Sequence, residues 1–182
     1  MAAAIPSELG ERNVRQLLMQ YAVPAIIAMT ASSLYNMVDS IFIGHIPGVG
    51  HYAISGLAVT FPLMNLSTAL GTLVGVGAST MLSVLLGQRN YKAAGKVLTN
   101  EFLLNIIIGL IFSAVTIAFL SPILCFFGAS ENTLPYARDY MFIILLGNVV
   151  THLYFGLNNV IRASGHPKMA MGLTIFTVLF NT

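Results

Sequence analysis

Long apolar runs separated by short polar breaks dominate the chain. Read from break to break, the apolar segments cover 17–44, 52–86, 102–127 and 140–161, and a fifth runs from 169 to 182. A hydrocarbon core of about 30 Å takes about 20 helical residues, so the first four are long enough to cross it. Runs such as LLNIIIGLIFSAVTIAFL are continuously apolar, whereas the strands of a membrane barrel alternate in polarity over about ten residues. The pattern therefore predicts an all-α fold, a polytopic transmembrane helix bundle with four complete spans. The fifth segment offers about 21 Å of helix at about 1.5 Å per residue, and no basic or interfacial residue closes it. It is expected to be an incomplete span, and 1–182 to be one truncated domain.

The breaks are HIPGVGH, GQRNYKAAGK, GASENTLPYARD and RASGHPK, each with Gly and three with Pro. The polar stretches NYKAAGKVLTNEF and ENTLPYARDYM read as amphipathic approaches to the next helix. If the spans alternate, Arg12, Arg15, Arg89, Lys92, Lys96, Arg162 and Lys168 fall on one side and only Arg138 on the other. That asymmetry predicts a cytoplasmic N-terminus in a cell (inner) membrane. Glu8 and Glu11 precede the first apolar run, which is far longer than a signal-peptide core, so a retained span is expected.

Within the second span, Ser67, Gly71, Gly75, Ser79, Ser83 and Gly87 recur every fourth residue, a row of small side chains expected to face another helix closely. GVGAS lacks the Lys, the strand and the spacing of a phosphate loop. Pro24 and Pro62 stand inside apolar segments, where each removes a backbone donor and invites a kink. Pro24 is a hinge candidate.

Composition agrees with the pattern: 57% of residues are hydrophobic and 8% charged, with a mean hydropathy of +0.84. Soluble domains are about 25% charged. A net charge of +2, spread over short patches, gives no nucleic-acid surface. The lone Cys125 can form no internal disulfide and is expected to pack as a small residue. His45, His51, His152 and His166 form no close pair, so no metal cluster is indicated.

One residue departs from the pattern. Between Arg15 and Arg89, Asp39 is the only Asp, Glu, Lys or Arg. A charge at membrane depth costs about 2.5–3.5 kcal/mol on insertion scales, so such a residue faces a partner or a water-filled cavity. Ser32, Tyr35, Asn36 and Asp39 are related by steps of three and four, which puts them on one helix face. Their oxygens suit a hard cation such as Na⁺, or a site that holds and releases a proton. Alternatively, Ser32 and Asn36 hydrogen-bond a neighbouring helix and fix its register. Met29, Met37 and Met64 offer flexible apolar surface to a cavity, to lipid or to packing. Ser113 and His152 read as packing residues, and Glu101 is expected to face the interface at one end of the third span. No nucleophile lies beside a base, so the chain is not expected to be an enzyme, and no cofactor is implied.

Four segments, in order and spacing, carry a resemblance: PAIIAMTASSLYNMVDSIFIGH, GVGASTMLSVLLGQRNYKAAGKVL, GASENTLPYARDYM and LNNVIRASGHPKMAM. Through them the chain resembles the N-terminal half of multidrug and toxic compound extrusion (MATE) transporters. The resemblance implies twelve helices in two six-helix lobes around a cavity that opens alternately to each side. It also implies multidrug efflux, in which organic and often cationic compounds leave by antiport with H⁺ or Na⁺. The family's acidic residue in its first helix falls on Asp39 through VDSIFIG, and its fifth-helix Asn on Asn181. An acidic partner four positions further on lies beyond residue 182. The implied partners are drug-like small molecules, the lipid bilayer and the C-terminal lobe of the same protein.

Two other readings stand beside it. A flippase for lipid-linked saccharides shares the architecture but calls for Lys or Arg in its cavity, and the spans contain neither. A non-transporting membrane fragment is the third reading.

Overall fold

The structure, a computed structural model, describes residues 13–180. Among them are six helices and no strand: α1 (Val14–Gly44), α2 (Gly50–Gly87), α3 (Tyr91–Ala118), α4 (Leu120–Phe126), α5 (Leu134–Ala163) and α6 (Pro167–Phe180). Helices α1, α2, α3 and α5 are each long and apolar enough to cross a membrane, and the protein is a multi-pass membrane protein. The four expected spans and the fifth segment each coincide with one of these helices, with α4 continuing the third.

The helices begin before the apolar runs do, because polar residues start them. The Asn13 side chain accepts from the Arg15 amide at 3.2 Å, and the Asn90 side chain from the Ala93 amide at 3.1 Å. Each caps an orphan donor of a first turn. The amphipathic approaches are thus the opening turns of α3 and α5. Helix α5 also carries Pro135 in its first turn, where the missing N–H is no loss. At the α4 end, Gly128 (φ +99°) allows its own amide to reach Cys125 O and that of Ala129 to reach Leu124 O, both at 3.0 Å. Arg89 does the same for α2 with φ +58°, a left-handed conformation adopted there by a residue other than glycine.

The third span is not one helix. It breaks at Phe119 (φ −115°, ψ 23°), between α3 and α4. The cause is Pro122, whose ring collides with the carbonyl of the residue four before it, Ala118, where α3 ends. Pro24 and Pro62, by contrast, lie inside α1 and α2, which run through them unbroken.

Helices α2, α3 and α5 pack together as the core, with α5 against α2 the most extensive contact, while α1 packs mainly on α6. One end of the core is apolar, built by Leu63, Leu120, Leu124, Ala137, Met141 and Leu145, with Met64 packed against it. A smaller cluster of Leu82, Ala94 and Val160 forms elsewhere along the same helices. Polar side chains are buried as well: Ser67, Glu101, Asn105, Ser113, Asn148 and His152. Large apolar residues such as Ile143, Leu146 and Leu110 point outward. A bundle facing lipid is built this way, since packing and internal hydrogen bonds, and not apolar burial, bring its helices together.

Three expectations are corrected. Glu101 does not face the interface: it is 2% exposed, inside the bundle. Cys125 is exposed and not packed. The small-residue row buries Ser67, Gly71 and Gly75 against α5, but Ser83 and Gly87 are exposed. Each four-residue step overshoots a full turn by about 40°, so the row rotates off the interface within a few steps.

Candidate functional site

The polar face of α1 meets α5 and α6 across a cavity of about 660 Å³. Ser32, Tyr35 and Asn36 line it from α1, Thr72 from α2, Asn158, Asn159 and Arg162 from α5, and Thr174 and Thr177 from α6. Met29, Ala28 and Phe155 supply apolar wall. The volume lies within the range of drug-binding pockets, about 300–1,000 Å³, which pair apolar walls with a few polar anchors.

Its α5–α6 wall is held by a small hydrogen-bond cluster. Thr174 Oγ1 donates to Ala170 O at 3.1 Å and accepts from the Tyr154 hydroxyl at 2.9 Å. Asn158 Nδ2 donates to Ala170 O at 3.3 Å and to Thr174 Oγ1 at 3.4 Å. Asn159 Nδ2 turns back to Phe155 O at 2.9 Å. The Asn158 carboxamide is therefore committed to the wall by its amine.

The structure brings together three of the residues singled out on α1, Ser32, Tyr35 and Asn36. Asp39 stands one turn beyond the cavity lining, half-buried, and both it and Tyr35 lie within electrostatic reach of Tyr140 on α5. Asn181 lies outside the described residues. Pro24 is buried in α1 and borders a second recess of about 1000 Å³ lined by Arg15, Gln20 and Lys168. Of the methionines, Met29 reaches the cavity, Met37 is exposed and Met64 packs in the core. No group of three metal-ligating side chains occurs among the described residues.

Sequence reasoning overlooked the α5 contribution. Asn158 and Asn159 form an amide pair inside an apolar span, as costly there as Asn36, and that cost was the available signal. Tyr140 and Arg162 sit at opposite ends of the same helix, where the sequence alone gives them an interfacial reading.

Away from the cavity, the α2–α3–α5 core contains a directed hydrogen-bond chain. Ser67 Oγ donates to Asn148 Oδ1 at 2.5 Å, so its one hydrogen is used. His152 Nε2, 3.0 Å from Ser67 Oγ, must then be the donor of that pair. Asn148 Nδ2 donates to Ser113 Oγ at 3.2 Å, and Ser113 Oγ to Leu145 O at 3.0 Å. Ser113 and His152 are packing residues, as expected.

A family profile described as MatE matches residues 24–182. The chain belongs to the MatE family. Among curated relatives of this MatE chain, the multidrug export protein MepA of Staphylococcus haemolyticus (strain JCSC1435) is 30% identical over 161 residues, 88% of this chain and 35% of that protein. MepA of Staphylococcus aureus (strain NCTC 8325 / PS 47) is 31% identical over 158 residues, 87% of this chain and 35% of its own. The MatE chain thus spans about a third of the length of these relatives. A solved structure described as the outward-facing conformation of a multidrug resistance MATE family transporter of the MOP superfamily superposes with a TM-score of 0.88 at 20% identity, over all of this chain and 40% of that one. Membership of the MatE family bears out the resemblance, and the superposition bears out the all-helical fold.

Proposed function

We propose that this chain is part of the N-terminal lobe of a transporter, not an enzyme, that exports drug-like compounds in exchange for H⁺ or Na⁺. The observation that carries the reading is the 660 Å³ cavity on the polar face of α1, with Asp39 one turn away. The relatives named multidrug export proteins support it. The complete protein would add the second lobe, sit in the cell (inner) membrane and keep its N-terminus in the cytoplasm, as the basic-residue asymmetry indicates.

In this reading, Asp39 takes up the coupling ion beside Tyr35, Tyr140 and Asn181. Ion and drug compete for one lobe, because each shifts the helices only by its differential affinity for the two arrangements. Filling Asp39 draws α1 toward α5, with Pro24 as the bending point, and narrows the cavity lined by Ser32 and Asn36. An extended apolar wall with a few amides selects by size and shape more than by one fixed contact.

The test is ion-driven dye efflux by the complete protein carrying Asp39→Asn. Efflux is expected to fall at least tenfold and to lose its dependence on pH or Na⁺. Unchanged efflux with unchanged ion dependence would overturn the reading. One observation favours the saccharide-flippase alternative: Arg162 lines the cavity and offers a bidentate partner to a phosphate. Under that alternative Arg162→Ala abolishes transport, whereas cation export tolerates it.

A further inference from the structure

Glu101 stands about ten residues, or about 15 Å, into α3 from its capped start. Its side chain is 2% exposed, and Asn105, one turn on, and His152, one turn from Gly156 on α5, are also buried. Glu101 Oε1 accepts from Asn105 Nδ2 at 2.6 Å, while Glu101 Oε2, Asn105 Oδ1 and His152 Nδ1 are buried without a hydrogen-bond partner. Gly156 makes the room. A Cβ at that position would overlap both the Glu101 carboxylate and the Asn105 carboxamide, so the α5 backbone itself walls the carboxyl.

Nothing cationic faces this pocket among the described residues. Helix α5 presents His152 one turn from Gly156. The chain from Ser67 to Leu145 is satisfied by the neutral ring, with Nε2 as donor and Nδ1 without an acceptor for a second hydrogen. The other charged or titratable groups of α5 lie elsewhere. Arg162 lines the cavity, Tyr154 bonds Thr174, Tyr140 neighbours Asp39, and Arg138 and Asp139 sit in its opening turns. At this level α2 offers Gly71 and Gly75, and its His51 and Tyr52 lie at its start. Lys92 and Lys96 of α3 are exposed, and α4 carries only the exposed Cys125.

A carboxylate taken out of water without a counter-charge is strongly disfavoured, and a single proton removes its charge. We propose that Glu101 is a second proton-exchange site, inside the α2–α3–α5 core. It holds a proton while α3 and α5 are packed and releases it when they part far enough to admit water. Bound proton and tight packing are then linked: each stabilises the other, as any ligand stabilises the state that binds it. The site shares no residue with the cavity or with Asp39, so it stands or falls separately from the transport reading.

Infrared spectroscopy tests it, on protein in lipid bilayers with ¹³C-labelled Glu carboxyls. The chain's glutamates are 8, 11, 101 and 131. At pH 7 the complete protein is expected to show a labelled carboxylic-acid band from which Glu101→Gln removes one component and Asp39→Asn removes none. A band unaltered by Glu101→Gln, or no such band in the unsubstituted protein, would overturn the proposal. Should Glu101→Gln not fold, Glu101→Asp in protein labelled only at Glu serves instead, because the new carboxyl carries no label. Loss of the labelled acid band then supports the proposal, and an unaltered band overturns it.

Discussion

Two glycines two residues apart on α2 show how residue-scale fit holds this bundle together. A Cβ on Gly75 would fall 2.7 Å from Gly156 Cα and 3.0 Å from Gly156 O, whereas a Cβ on Gly77 meets nothing within 4 Å. The first obstacle is backbone, which cannot rotate away, so Gly75→Ala forces α2 and α5 apart. Overpacking of this kind costs about 1–3 kcal/mol. Gly77→Ala meets no such obstacle and gains the helix propensity that glycine lacks, about 1 kcal/mol. The pair is therefore expected to move in opposite directions: a lower thermal midpoint in detergent for Gly75→Ala and an equal or higher one for Gly77→Ala. The sequence presents the two as neighbours in one GVGAS string. The helical period separates them, since two residues turn the helix by about 200° and Gly77 therefore points away from the row that brings Gly75 under α5. The row's own drift of about 40° per step is why a four-residue period located the close approach but could not say where along α2 it ends.

Among the elements, the break between α3 and α4 is the feature that hydropathy could not reveal. FSAVTIAFLSPILCFF is apolar throughout, so a reading by polarity runs a single helix across it. The chain stops being helical at Phe119 for a local steric reason, the ring of Pro122 against Ala118 O, and that reason was present in the letters. Replacing Pro122 with Ala restores an amide and removes the clash. Pro122→Ala is expected to fuse α3 and α4 and to slow hydrogen exchange of the amides from Phe119 to Ser121 about tenfold. Unchanged exchange would place the cause in tertiary packing. The spans themselves were legible because a membrane span must be long, apolar and helical at once. The α1 lining of the cavity was legible too, since Ser32, Tyr35 and Asn36, with Asp39 one turn further on, share a face by spacing alone. Partners contributed from other helices, Tyr140, Asn158 and Asn159, depend on which helix lies beside α1, and no local pattern encodes that. Glu101 illustrates the same limit: its position near a span end suggested water, while Gly156 on a helix more than fifty residues later gives it an interior.

On the scale of the whole molecule, the bundle divides into a tightly joined core of α2, α3 and α5 and a looser pair, α1 with α6. Their interiors differ in kind. The core is crossed by the His152–Ser67–Asn148–Ser113–Leu145 chain, in which every hydroxyl hydrogen is spent between helices. The α1–α6 pair flanks the cavity, and α6 is tied back to α5 by the Tyr154 and Asn158 bonds around Thr174. The looser pair, beside a firm unit, can tilt while the core stays packed. Local opening free energies then differ across one lobe, and hydrogen exchange reads that difference. Amides of α6 are expected to exchange faster than those of α2 and α3. Asn158→Ala removes two side-chain bonds worth about 1 kcal/mol each, and Tyr154→Phe one. The double variant is therefore expected to speed exchange in α6 by about tenfold to a hundredfold, with α2 and α3 protection unchanged. Equal acceleration in all three helices would show instead that the lobe opens as one unit, and the cavity would then have to change shape by unpacking the core that holds Glu101.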